Sequence, residues 1–308
     1  GDDDQGIYKW NGADPKYFTT YFPGRSVVLR QTRRFGKEIY EFSQIIRRGI
    51  FDSVEKEYEH TEKSGTVKRY LNFNEIPFKT SEGTWYILGR VNSTVTELKM
   101  AAKDAGLYFS DNKGNKSFDT KQWNAIKAWT TLSKDKSISR DQAENMYKYI
   151  RDLKDFDFRT PKFWQNIPET QTFTFKQLKE WAGLDLEDYE QTRPWWIVLK
   201  RNFTPNQTQY FIRLLRAYGQ KTIDKDPQII IDTIHSVKGG EANNVLIYSK
   251  TNWPASFSHK TKDEQSDEKR VYYTGVTRAK NTLHILSTDY KYNYPIGKDY
   301  FMYLQEKK

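Results

Sequence analysis

Apolar positions in this chain fall into short runs, gathered in two groups on either side of a long polar stretch with helical patterning. In the first group, VVLRQ at 27–31 reads as a strand. The segment KEIYEFSQIIRRG follows, with Ile39, Phe42, Ile45 and Ile46 at helical spacing and Gly49 after two arginines. WYILGR at 85–90 is a second strand-like run. Beyond it, Thr94 and Glu97 make a capping-box pair ahead of Val95, Leu98, Ala101, Ala102 and Ala105, and Gly106 stops the pattern. Both segments predict a strand followed by a helix.

From about residue 111 the character changes. DNKGNKS is a polar loop, and the next hundred or so residues carry helical patterns and no convincing strand. Ser139 with Gln142 caps a helix bearing Ala143, Met146, Tyr147 and Ile150; Thr204-Pro205 with Gln207 caps another that runs to Gly219. After Pro227 the apolar runs return as QIIIDTIHS, NVLIYS and TLHILST, hydrophobic on both faces as buried parallel strands are. The pattern predicts an α/β sheet interrupted by a helical block. The one charge-dense tract, HKTKDEQSDEKR at 259–270, reads as a solvated mobile loop.

Composition narrows the class. The 308 residues suit one large or two ordinary domains, and 36% hydrophobic, 29% charged and 16% aromatic residues describe a folded chain too polar for a membrane protein. No apolar run nears the roughly 20 residues of a membrane span, and the opening DDD is unlike a signal peptide. A cytoplasmic location, away from any membrane, is expected. With no cysteine, disulfides, thiolate nucleophiles and cysteine-bound zinc are excluded; His60, His235, His259 and His284 lack metal-binding spacing, so no protein-bound metal is expected. The formal charge of +10 favours a polyanionic partner, and 21 Tyr, 18 Phe and 9 Trp offer rings on which single-stranded bases stack. Charge alone is equally consistent with a solvated basic surface.

Two segments carry candidate chemistry. In IDTIHSVKGGEANNVLI, 231–247, a strand runs into His235 and then Lys238-Gly239-Gly240-Glu241. Paired glycines let backbone approach a ligand, and the flanking lysine and glutamate can address a phosphate and a hydroxyl. By pattern alone it is a tight turn. In VYYTGVTRAKNTLHIL, 271–286, Arg278 and Lys280 sit in an expected helix ahead of a strand. An arginine fixed by packing at a domain edge is what phosphoryl transfer needs, though alone such a residue is commonly a surface ion pair.

Together these stretches resemble something specific. GDDDQGIYKWNGA, TIHSVKGGE and YYTGVTRAK resemble three motifs of the UvrD-like superfamily 1 DNA helicases, and LRQTRRFGKEI at 29–39 resembles a fourth. WYILGRVNSTVTELKMAAKDAGLYF is a fifth, weaker likeness. The resemblance implies a RecA-like parallel sheet of the P-loop NTPase type, flanked by helices, with an inserted all-helical subdomain. Residues 1–20 would be the tail end of a first RecA-like motor domain, 21–110 with 226–308 the second, and 111–225 the helical accessory insertion. The sequence contains neither a G-x-x-x-x-G-K-[ST] phosphate loop nor an Asp-Glu pair placed for magnesium, so those parts are expected upstream and this portion is expected to be inactive alone.

By the same resemblance, Gln5 would sense the γ-phosphate and attacking water, and Arg34 and Arg278 would be the two arginines that reach that phosphate. Glu241 would contact the ribose, within the nucleotide-facing loop of Lys238, Gly239 and Gly240. Tyr8 and Trp10 would present rings to single-stranded DNA, with Arg90, Asn92 and His235 beside its phosphates. ATP with magnesium is the implied cofactor, held mainly by the first domain. The implied partners are single-stranded and forked DNA, and the implied activity is ATP-dependent translocation with unwinding, 3′ to 5′. Three departures stand out. Arg33-Arg34-Phe35 replaces the family's Tyr-Arg-Ser, so Arg33 is a rival for the role given to Arg34. Asn11 stands where an arginine is usual, and Gly240 and Ala242 replace two apolar anchors. Core packing is the alternative reading for Tyr8 and Trp10, and a hydrogen-bonded structural role is the alternative for each of Arg90, Asn92 and His235. The alternative for the whole chain is a non-catalytic nucleic-acid-binding subunit that completes a motor in trans.

Overall fold

The spacing of Ile39, Phe42, Ile45 and Ile46 becomes helix α1, Lys37–Arg47, with all four side chains buried. The computed structural model describes residues 2–12, 32, 34–51, 53, 59–60, 62–150, 157–181 and 190–307; the strand expected at 27–31 and residue Arg33 lie outside them. The chain divides into two compact units, Gly1–Asn115 with Thr222–Lys308, and Lys116–Lys221.

The strands, in chain order, are β1 (Thr66–Tyr70), β2 (Trp85–Gly89), β3 (Phe109–Ser110), β4 (Ile138–Ser139), β5 (Thr172–Phe173), β6 (Ile229–Thr233), β7 (Ala242–Tyr248) and β8 (Ala279–Leu286). Six of them form one sheet in the first unit, in the order β1-β8-β7-β2-β6-β3, with every pairing parallel. The doubly apolar runs have a direct cause, because helices cover both faces. On one face Val245, Ile247, Leu283 and Ile285 pack against α1, α9 (Lys262–Val276) and α10 (Ile296–Glu306). On the other, Trp85, Ile87, Ile231 and Leu246 pack against Val95, Leu98 and Ala102 of α2, Asn92–Asp104. Burial of each such aliphatic side chain contributes about 1.5–3 kcal/mol. The result is the expected α/β, RecA-like architecture.

The second unit is built from α3 (Thr120–Leu132), α4 (Arg140–Tyr147), α5 (Pro161–Gln165), α6 (Phe175–Trp181), α7 (Trp195–Val198) and most of α8 (Pro205–Ile223), which breaks at Gly219, where φ is 69°. The two capping boxes read from the sequence within this unit are present: Gln142 N donates to Ser139 Oγ at 3.3 Å, and Gln207 N donates to Thr204 Oγ1 at 3.2 Å. The core is aromatic. Trp129 Nε1 donates to Arg193 O at 2.8 Å and Trp164 Nε1 to Phe158 O at 2.7 Å, so these buried indoles keep hydrogen-bond partners. The unit also contains a short antiparallel pair, Ile138 opposite Phe173, where no strand was expected. Two residues per strand leave no periodic signal.

Three expectations require correction. The tract 259–270 is not a mobile loop, because Lys262 begins α9, capped by Thr261 with Glu264, and Glu268 and Arg270 are buried. Helix α2 begins at Asn92 rather than after Thr94; Thr94 lies in its first turn, where its hydroxyl donates to Val91 O at 2.8 Å. Arg278 and Lys280 are not helical: α9 ends at Val276, and Lys280 is already within β8. Among the described residues, no helix is long and apolar enough to cross a membrane.

Candidate nucleotide cleft and strand-contact edge

The sheet itself brings the first group of candidates together. β7 and β8 are parallel neighbours with Ala242 opposite Ala279, so the residues just before them, Glu241 and Arg278, sit side by side at the amino edge. Ala242 N donates to Arg278 O at 3.0 Å and fixes that pairing. The preceding turn requires both its glycines. Gly239 has φ 93°, in the left-handed region, and a Cβ on Gly240 would lie 2.4 Å from Tyr86 Oη.

Arg278 is 1% exposed, and each nitrogen of its guanidinium is engaged. Nε donates to Thr274 O at 3.0 Å, Nη1 to Gly240 O at 3.2 Å, and Nη2 both to Gln5 Oε1 at 2.7 Å and to Thr277 Oγ1 at 3.2 Å. Burial, with the Arg34 charge adding to it, lowers its pKa to about 10, so it remains cationic at neutral pH. Gln5 is held at both ends of its amide, since Nε2 donates to Asp2 Oδ2 at 2.9 Å. Arg34 comes from a third stretch of chain. Its Nε meets Glu241 Oε2 at 3.2 Å and its Nη1 donates to Thr277 O at 3.2 Å. Glu241 is gripped from the other side by Lys280, Nζ to Oε1 at 3.0 Å, and the Lys280 hydrogen bond does most to hold its carboxyl below the ordinary range.

These side chains border a cleft of about 420 Å³ whose walls include Gln5, Arg34, Glu241 and Thr277. Arg278 stands behind Gln5 rather than in the open. One guanidinium, that of Arg34, and the Gln5 amide line the cleft directly, and the carboxylates of Asp2 and Glu241 line it as well. A guanidinium so placed can pair with a phosphate, and the carboxylates can accept from hydroxyls. The oxygens of Asp2, Asp3 and Asp4 lie within 4.8 Å of one another, yet Asp2 accepts from Asp4 N and Gln5, and Asp4 pairs with Arg47 at 2.8 Å. Their grouping is accounted for by folding of the segment.

A second group lies at the opposite edge. β2 and β6 are parallel neighbours with Gly89 opposite Thr233, so Arg90 and His235 emerge near each other at the carboxyl edge, and Asn92 is exposed at the start of α2. Arg90 is not turned outward. Glu268 holds it through two bonds of 2.7 Å, and although burial opposes its charge, that pairing raises its pKa. Burial first, then the Arg90 charge, lowers the His235 pKa to about 4. Tyr8 is half-buried against the core; its hydroxyl donates to His235 O at 2.9 Å, and Lys238 Nζ lies 4.9 Å from its ring centre. The ring is thus docked on the loop rather than free. Burial, followed by the Arg278 charge, lowers the Lys238 pKa. The backbone of Trp10 is the middle of a short 3-10 turn, Lys9–Asn11; its side chain lies outside the described residues.

The family model for the UvrD-like helicase C-terminal domain matches residues 91–290, well over half of the chain. The chain belongs to this family. A comparison with curated proteins found no match. The matched span includes Asn92, His235, the Lys238–Glu241 loop and Arg278, and stops short of Gln5, Tyr8, Trp10, Arg34 and Arg90. At the level of the family, a UvrD-like helicase domain interacts with nucleic acid and with nucleotide. Sequence reading missed the partners Glu268 behind Arg90 and Asp2 behind Gln5, and it named Lys280 without its pairing to Glu241. The capping box at Thr261 and Glu264 was the signal that could have placed Glu268 on a packed helix.

Proposed function

We propose that this chain supplies the second motor domain and the helical accessory domain of an ATP-driven translocase that moves on single-stranded DNA and unwinds duplex, 3′ to 5′ by family likeness. One observation supports it above the others. Gln5, Arg34 and Arg278, far apart in sequence, converge with Glu241 around one cleft, joined by contacts of 2.7 to 3.2 Å. A module that only bound DNA has no use for that convergence.

ATP with magnesium, held mainly by a phosphate-loop domain, would supply the transferable γ-phosphate. Each side chain here has a defined task. Arg34, partly exposed, turns from Glu241 and Thr277 O toward the phosphate; Lys280 then keeps Glu241 in place as an acceptor for ribose hydroxyls. Gln5 releases Arg278 Nη2, which exposes the guanidinium to charge developing on the γ-phosphate. The segment Ile234–Glu241 carries the chain from the carboxyl edge of β6 to the amino edge of β7, so movement at the cleft reaches His235 and Tyr8. Lys116–Lys221 acts as the accessory domain.

The test joins the chain to a phosphate-loop motor domain of the family and measures ATP hydrolysis. Single-stranded DNA raises the rate if the reading is correct; a rate indifferent to DNA refutes it. A second reading, a subunit that completes a motor in trans, draws support from Arg278 being 1% exposed behind Gln5. It requires activity when the two parts are mixed as separate chains.

A further inference from the structure

The far end of α1 holds a buried ion pair that lies outside both the quoted motifs and the cleft wall. Arg47, the last residue of that helix, donates from Nε to Asp4 Oδ2 at 2.8 Å and from Nη1 to Gln44 Oε1 at 3.2 Å. The Asp4 side chain is 0% exposed and that of Arg47 12%. Asp4 is the middle residue of the 3-10 turn Asp3–Gln5, so the guanidinium grips that turn one residue before the glutamine that covers Arg278. The turn's own bonds, Asp4 N to Asp2 Oδ1 at 3.1 Å and Gln5 N to Asp2 O at 3.1 Å, run within the segment, whereas Arg47 ties it to α1. The helix is a firm anchor. Ile39, Phe42, Ile45 and Ile46 are buried in the core, and so is Phe35 just ahead of it, next to Arg34. The same helix therefore carries Arg34 before its first turn and, through Arg47, fixes the turn that bears Gln5.

We infer that Arg47 is a positioning residue for the hydrolysis step: through Asp4 it holds the backbone of Gln5 still, so that release of Arg278 is a rotation of the Gln5 side chain and not a movement of the whole turn. The hold of Gln5 on Arg278 is a single side-chain bond of 2.7 Å, and it is the bond that must break. The hold of Arg47 on Asp4 is an ion pair away from water, which resists opening because parting it leaves a buried carboxylate without that charge. Gln44, which lines the cleft, shares the same guanidinium, so the anchor reaches the cleft wall itself. An untethered turn would follow Arg278 as it moved, and a misplacement of about 1 Å at a reacting group costs about 10²-fold in rate. The inference rests on the motor reading proposed above and adds to it a residue that acts through another rather than on the nucleotide.

The test uses the chain joined to a phosphate-loop motor domain of the family and measures ATP hydrolysis at saturating single-stranded DNA over a nucleotide series. Arg47→Ala is expected to lower kcat about 10- to 100-fold while KM for ATP stays within about twofold. Arg47→Lys, which keeps a cation opposite Asp4, should recover most of the loss. In an Arg278→Ala background, Arg47→Ala should bring no further fall, because it acts only through that guanidinium. A pair that serves folding alone gives a different result: a lower melting temperature with kcat per folded molecule unchanged, or a fall that multiplies with that of Arg278→Ala. Either overturns the inference. Should Arg47→Ala not fold, Asp4→Leu with Arg47→Met exchanges both members for apolar groups, a replacement often neutral for stability; a folded double variant with the kcat of the unaltered chain overturns it equally. The two readings fail separately. Arg278→Ala at full rate sinks the motor reading, whereas a slow Arg278→Ala beside an Arg47→Ala at full rate sinks only the anchor.

Discussion

His284 gives the sharpest test of how the sheet is built. The imidazole sits on β8 with 1% exposure, its ring centre 4.7 Å from that of Trp85 and 5.6 Å from that of Tyr70, and neither ring nitrogen has a hydrogen-bond partner. Burial, assisted by the Lys68 charge, lowers its pKa from 6.5 to about 4. The sign follows from proton linkage. Above pH 6.5 the ring is neutral folded or unfolded and costs nothing. As pH falls, the unfolded chain takes up a proton that the folded chain refuses, so stability is lost between about 6.5 and 4. At about 1.4 kcal/mol per pH unit, the whole interval is worth about 3 kcal/mol, and about 2 kcal/mol has already gone at pH 5. His284→Phe keeps a ring of similar size between Trp85 and Tyr70 and removes the titration. Urea unfolding, followed through hydrogen exchange of the β8 amides, should show the variant gaining about 2 kcal/mol on wild type between pH 7.5 and 5. The contribution of His235, common to both proteins, cancels. Equal acid sensitivity in the two would refute the reasoning.

Two further perturbations address the packing behind the site. Glu268→Ala should cost about 3–5 kcal/mol, because it strands the guanidinium of Arg90 beneath α9 without its carboxylate; a loss under about 1 kcal/mol in thermal unfolding would show that the pair is not structural. Burial raises the Asp299 pKa to about 6 from 3.8, so that carboxyl favours folding only while protonated, and its contribution disappears as pH rises through about 6. Asp299→Asn should therefore be more stable than wild type by about 3 kcal/mol at pH 8 and little more stable at pH 4, as read by denaturant midpoints.

Most of the sheet was legible because its strands are buried on both faces. IIIDT, NVLIY and the WYILG run had no polar alternation to obscure them. β1 escaped notice since Lys68 and Arg69 break its apolar run, and β3 because two residues carry no period. Capping boxes at Ser139 and Thr204 marked helices faithfully, being local chemistry that needs no tertiary context. The charge-dense tract misled for the opposite reason: Glu268 is buried against Arg90, distant in sequence, with Lys260 of the same tract also pairing to it. The same division holds at the site. Motif likeness pointed to Gln5, Arg34, Glu241 and Arg278, and parallel register explains why Glu241 and Arg278 meet. That Gln5 covers Arg278, that Lys280 braces Glu241, and that Tyr8 is docked on the His235 loop depend on contacts between segments more than 30 residues apart, which no local pattern encodes.

The central claim is that Arg278 acts on the γ-phosphate once Gln5 lets it go. Its most direct test is single-turnover ATP hydrolysis by the chain joined to a phosphate-loop motor domain, with and without Arg278→Ala, at saturating nucleotide and single-stranded DNA. The account predicts a fall in the hydrolysis rate of about 10³- to 10⁵-fold with nucleotide binding largely kept. An unchanged rate in the folded variant would contradict it.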